Sequence, residues 1–138
     1  MTEKIVSMKS ISKTFGSVKA LSNVNLDLYK GEVHSLLGEN GAGKSTLMNI
    51  LSGIYVPDEG ALDIRGKKVR LRSPKDSIDL GIGMIHQHFK LVDVLTAKEN
   101  IIAGYNKGVF VKGKELTEKI KSTSVKYGLE IDPDKKVY

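Results

Sequence analysis

The stretch Gly38-Glu39-Asn40-Gly41-Ala42-Gly43-Lys44-Ser45-Thr46 fits the pattern G-x-x-x-x-G-K-[ST] at every fixed position and runs directly into Leu47-Met48-Asn49-Ile50-Leu51. No other part of the chain restricts its fold so strongly. Glycines at these places let the backbone curl until successive N–H groups face one anion, and a helix starting on the lysine adds the positive end of its dipole. A loop of this kind holds phosphate. Lys44 is expected between the β- and γ-phosphates of a nucleotide, Ser45 on Mg2+ through its hydroxyl, and Thr46 on a phosphate oxygen. The flanks agree with that reading. Val33-His34-Ser35-Leu36-Leu37 predicts a short, largely buried strand feeding the loop, and residues 44–52 predict a helix that Gly53 closes.

A chain of 138 residues with 40% hydrophobic content can build one ordinary domain or part of one. It contains no cysteine, which excludes disulfides and thiolate metal sites and fits a reducing cytosol. No apolar run approaches the length of a membrane span, and only Ile5 and Val6 follow the first four residues before polar ones return. Neither a transmembrane segment nor a secretory signal is expected. The net charge of +6 invites a nucleic-acid reading, but the excess is local: Arg65, Lys67, Lys68, Arg70, Arg72 and Lys75 lie in one segment without an acidic residue. Lys68, Arg70 and Arg72 alternate with Val69 and Leu71, as in a half-buried strand with a solvated face. No aromatic residues are interleaved to stack bases, so nucleic acid is not expected as a partner.

Residues 5–15 and 24–29 read as two early strands, and Lys30-Gly31-Glu32 as the turn that follows. Pro57-Asp58-Glu59-Gly60 is a turn by composition, ahead of a hairpin formed by residues 61–65 and 68–72 about Gly66-Lys67. Ser73, Pro74 and Asp76 carry the cap of a short helix that Gly81 ends. Ile82-Gly83-Met84-Ile85 then predicts a short buried strand delivering Gln87 at its carboxyl end, where ligands sit in open α/β sheets. Thr96 and Glu99 form a capping box for a helix with Gly104 as its stop, and residues 108–113 read as a loop. Residues 114–127 predict a helix with Leu116, Ile120 and Tyr127 on its apolar face and a Glu115–Lys119 pair at its side. The polar segment from Asp132 onward lacks the pattern of a closing element. Phe15, at the end of the first strand, reads either as packed core or as a functional aromatic.

Taken together, Phe15 upstream, the loop from Gly38 to Thr46 and Gln87 downstream resemble the N-terminal part of an ATP-binding cassette, the ATPase domain of ABC transporters. The resemblance spans essentially the whole chain. It implies an α/β P-loop NTPase fold with an antiparallel β subdomain, a Walker A strand-loop-helix and part of a helical subdomain. Residues 1–138 would then be a truncated cassette, with 1–90 as the nucleotide-binding β/α part and 91–138 as the start of the helical subdomain. By the same resemblance Phe15 stacks on adenine. Gly38, Glu39, Asn40, Gly41, Ala42, Gly43, Lys44, Ser45 and Thr46 hold the phosphates of ATP, Ser45 and Gln87 bind Mg2+, and Lys44 and Gln87 act in catalysis. The strings Gly83-Met84-Ile85-His86-Gln87-His88-Phe89 and Leu95-Thr96-Ala97-Lys98-Glu99-Asn100-Ile101 resemble in particular the cassettes of sugar and nucleoside importers.

The implied partners are transmembrane permease subunits, a second cassette and, indirectly, a solute-binding protein. The implied location is peripheral, on the cytoplasmic face of the cell membrane. Several family elements do not occur in the chain. No run of four apolar residues leads into an Asp-Glu pair as in a Walker B strand, no signature motif follows, and no histidine lies after His88. Leu51-Ser52-Gly53 begins like the signature but continues as Ile54-Tyr55. The expectation is therefore a chain that binds ATP without turning it over. The alternative is a complete nucleotide-sensing module that binds without hydrolysis and signals through a partner.

Overall fold

The computed structural model describes residues 3–86, 91–103 and 113–137. The chain divides into two compact units, Met1–Ile85 and His86–Tyr138.

The first unit is built on a four-stranded antiparallel sheet. Its strands are β1 (Lys4–Phe15), β2 (Val18–Tyr29), β3 (Glu59–Ile64) and β4 (Lys67–Val69), in the order β2-β1-β3-β4. Val6 and Met8 alternate with polar neighbours on β1 and face Leu28 and Leu26 of β2 and Ile64 and Leu62 of β3 in register. Strict alternation would then turn Ser10 inward and Ile11 outward. Instead Ser10 takes a left-handed conformation (φ 52°), its N–H donates to Asn25 Oδ1 (2.8 Å), and the register shifts between Met8 and Ile11. This β-bulge returns Ile11 to the core, where it is fully buried. Gly60 of β3 makes room for the bulge, because a Cβ there would lie 2.5 Å from the Lys9 carbonyl oxygen and 2.6 Å from that of Ser10.

Between β2 and β3 lies helix α1 (Lys44–Leu51), whose Leu47, Ile50 and Leu51 recur at helical spacing and join the same core cluster. Helix α2 (Pro74–Asp79) opens on the expected box. Ser73 Oγ accepts from the Asp76 N–H, and the Asp76 carboxylate accepts from the Ser73 N–H. Buried Ser77 donates its hydroxyl proton to the Leu51 carbonyl (3.1 Å), tying α2 to the end of α1. The hairpin turn falls at Arg65-Gly66, and β4 ends at Val69, shorter than the alternation predicts. Arg65 donates to the Leu80 carbonyl (3.1 Å), while Lys67, Lys68, Arg70 and Arg72 are exposed.

Two of the expected strands are not formed. Residues 33–37 form no strand, and Val33 and Leu37 are 99% and 88% exposed rather than buried. His34, expected on that strand, lies outside any regular element with its Nδ1 3.3 Å from Glu32 Oε1. Residues 82–85 likewise form no strand, and Ile85 is 88% exposed. The reason is pairing: a strand exists only beside another strand, and among the described residues none lies next to either segment.

The second unit holds α3 (Ala97–Ile102) and α4 (Gly113–Lys126). Thr96 and Glu99 form the expected capping box on α3. The Gly104 stop and residues 108–112 lie outside the described residues, while Gly113, expected in a loop, opens α4. Ile120 is buried on α4 as predicted, but Tyr127 is exposed just beyond the helix and Glu115 and Lys119 form no ion pair. The polar C-terminal segment is more structured than its composition indicates. The N–H groups of Ala97 and Lys98 donate to the carbonyls of Lys135 and Pro133 (both 2.9 Å), Lys98 pairs with Asp134, and Pro133 is fully buried.

Candidate nucleotide site

The loop between residues 33–37 and α1 is shaped by backbone conformations that glycine adopts easily. Gly43 caps α1 with φ 86° and ψ 0°, and no side chain caps the helix. The first intrahelical bond runs from the Leu47 N–H to the Gly43 carbonyl (2.9 Å). The N–H groups of Gly43, Lys44, Ser45 and Thr46 therefore have no partner within the helix, and no acidic side chain occupies its first turn. Four donors and a helix dipole converge there, which suits an anion. Gly43 is also pressed against β2. A Cβ on it would lie 2.6 Å from the Ala20 carbonyl oxygen and 2.7 Å from Leu21 Cδ2, so the cradle is seated directly on the sheet.

Lys44 folds back over its own loop. Its ammonium donates to the carbonyls of Gly38 (2.5 Å) and Glu39 (2.7 Å), and the Ala42 N–H donates to the same Glu39 carbonyl (3.2 Å). These bonds close the loop into a ring around one cation. Glu39, Asn40, Gly41 and Ala42 are exposed on its rim, as is Ser45 on the first turn of α1, whereas Thr46 is half-buried.

Phe15 lies at the β1–β2 hairpin, opposite Val18. Val18 is two residues along β2 from Ala20, whose carbonyl faces Gly43, so the aromatic and the loop share one end of the sheet. Phe15 is 40% exposed and lies outside the buried core cluster. Tyr55, in the segment after α1, meets it edge-on at a centroid distance of 5.1 Å and an interplanar angle of 66°. The Lys13 ammonium lies 5.5 Å from the ring centroid. Asp58 accepts from Lys13 Nζ (2.7 Å) and from the Thr14 N–H (2.8 Å), and these bonds hold its carboxyl below the ordinary carboxylate range, the Lys13 bond being the larger cause.

Sequence reasoning names Phe15 and residues 38–46 as candidates. It misses Tyr55 and Asp58, because nothing in Pro57-Asp58-Glu59-Gly60 announces a contact with a strand so far upstream. Gln87 lies outside the described residues.

A glycine loop closed around a lysine, an uncapped helix start behind it and an open aromatic at the same sheet end define the class of P-loop nucleotide-binding proteins. Residues 21–138 match the ABC transporter family, and the chain belongs to it. It is 48% identical over 136 residues to a guanosine import ATP-binding protein of Bacillus subtilis, covering 97% of this chain and 27% of that protein. To a nucleoside import ATP-binding protein of Lactococcus lactis it is 51% identical over 134 residues, with 96% and 26% covered. A ribose import ATP-binding protein of Caldanaerobacter subterraneus is 58% identical over 102 residues, with 74% and 21% covered. The chain thus spans about a quarter of the length of the curated relatives it matches.

Among solved structures, a nucleotide-free ATP-binding cassette from an ABC transporter superposes with a TM-score of 0.76 at 28% identity. The match covers 96% of this chain and 57% of that one. An ATP-binding cassette in its ADP conformation gives 0.75 at 28%, covering 99% and 60%. The fold is that of a P-loop NTPase cassette.

Proposed function

We propose that this chain is the nucleotide-anchoring part of an ATP-binding subunit that couples ATP binding and hydrolysis to import of a small solute, a sugar or a nucleoside. The uncapped start of α1, with four N–H donors beside Lys44, carries the reading, since this arrangement of donors matches a polyphosphate. The import functions in the names of the relatives support the solute class. Gly38 to Thr46 cradle the phosphates, Lys44 stabilises their negative charge, and Phe15 stacks on adenine with its exposed surface. The Ser45 hydroxyl is exposed and engaged in no hydrogen bond among the described residues, which fits a ligand to Mg2+ together with Gln87. When bound, that ion neutralises charge on the phosphate oxygens.

Residues 1–90 serve as the nucleotide-binding part and 91–138 as the start of a helical subdomain that meets transmembrane permease subunits. A second cassette completes the ATPase, and a solute-binding protein acts through the permease. No helix among the described residues is long and apolar enough to cross a membrane, which fits a peripheral protein on the cytoplasmic face. The bare apolar segments 33–37 and 82–85 fit strands of a parallel sheet whose neighbours belong to a longer protein. Without Walker B acids this chain binds ATP and does not turn it over. Titration with a fluorescent ATP analogue tests the assignment. Lys44→Ala should abolish binding, and an unchanged titration would refute the site.

A further inference from the structure

Asp58 reaches back to the end of β1 with three hydrogen bonds. Its Oδ1 accepts from Lys13 Nζ (2.7 Å), its Oδ2 accepts from the Thr14 N–H (2.8 Å), and its own N–H donates to the Ser12 carbonyl (2.9 Å). Three consecutive residues before Phe15 are thus tied to one residue ahead of β3. This is where a strand end needs restraint. Gly16 turns the chain with φ 56°, and the register of β1 on β2 shifts on both sides of Lys13. Such hairpin ends fray readily. The same carboxylate fixes the ammonium that lies 5.5 Å from the Phe15 ring centre, while Tyr55 limits the ring from its edge.

Aromatic stacking depends on ring orientation as well as area, so the ring's support bears on what it can bind. We propose that Asp58 is a positioning residue for base recognition: by holding Lys13 and Thr14 it sets Phe15 to receive the base of the nucleotide. The proposal rests on the reading of Phe15 as the adenine platform. Asp58 acts through Lys13 and Thr14 and needs no contact with the nucleotide. Both of its oxygens are required, because an asparagine offers a single acceptor oxygen and cannot accept both bonds.

The test compares two ligands on the full chain by calorimetry: Mg-ATP, and inorganic triphosphate, which has no base. Wild type should bind ATP more tightly than triphosphate, and Phe15→Ala should remove that preference. Asp58→Asn should weaken ATP roughly three- to tenfold, a fraction of what truncating a base-stacked aromatic costs, and leave triphosphate unchanged. In the Phe15→Ala background it should add nothing. Equal losses for both ligands, no loss for either, or a further loss on top of Phe15→Ala would overturn the proposal. Should Asp58→Asn fail to fold, Lys13→Met removes one arm of the clasp and must show the same selective loss. A wild-type chain that binds neither ligand, or binds both equally, overturns instead the underlying nucleotide reading.

Discussion

The Lys44 ammonium donates to the Gly38 carbonyl across its own loop at 2.5 Å. A second bond, to Glu39 at 2.7 Å, means that the cation proposed to meet phosphate already organises the loop that presents it. Under that proposal, incoming phosphate oxygens would have to take over a charge held by two carbonyls, which favours a strong polyanion over a weak one.

This arrangement makes a prediction for the protein without nucleotide. Lys44→Met should speed amide hydrogen exchange at residues 38–44 while leaving β1 and β3 protected. Equal rates in both proteins would mean that the backbone alone holds the loop.

Gly41 and Gly43 share a φ of 86° but differ in surroundings: a Cβ on Gly41 meets nothing within 4 Å, whereas one on Gly43 collides with Ala20 and Leu21. Gly41→Ala should cost about 1–2 kcal/mol of backbone strain alone. Gly43→Ala adds overpacking and should cost roughly 3 kcal/mol or more, measured by urea unfolding. Equal costs would show that the loop does not bear on β2.

Acid should weaken the first unit. The Lys4 and Ser7 bonds, Lys4 first, hold the Asp27 carboxyl below its ordinary value, as Lys13 and Thr14 do for Asp58. A carboxyl depressed in the folded state stabilises fully above its unfolded value, and the contribution disappears as pH falls through the lowered one. Unfolding midpoints should therefore drop below about pH 4. The double variant Asp27→Asn/Asp58→Asn should flatten that drop, and a profile identical to wild type would exclude both carboxyls as its source.

In the second unit, Thr96→Ala removes the side chain that accepts the Glu99 N–H and should cost about 1 kcal/mol. Deleting residues 132–138 should accelerate exchange at the Ala97 and Lys98 amides, whose acceptors are the Lys135 and Pro133 carbonyls. Unaltered exchange would show those bonds to be dispensable.

What the sequence reveals here divides by range. The boxes Ser73–Asp76 and Thr96–Glu99 and the glycine loop are legible because their bonds close within a few residues, where side-chain chemistry decides the geometry. Residues 33–37 carry a strand's apolar content, yet strand formation is a property of a pair, and no amount of local pattern supplies the neighbour. Asp58 on Lys13 and the docking of residues 132–137 on α3 are likewise long-range. Both look like ordinary polar stretches until the chain folds. The glycine loop of the candidate site is thus legible in the sequence, whereas the surroundings of Phe15 are not.

The bulge at Ser10 reaches further than the core it repairs. Before it, Val6 and Met8 lie in the buried cluster that includes Leu47, Ile50 and Leu51 of α1. After it, Ile11 joins that cluster, and Phe15 meets Tyr55 edge-on. The face on which Phe15 emerges is set by this bulge together with the register shifts on either side of Lys13. Straightening the strand with Ser10 still in it would turn Ile11 to the opposite face, so the extra residue and its left-handed turn belong together.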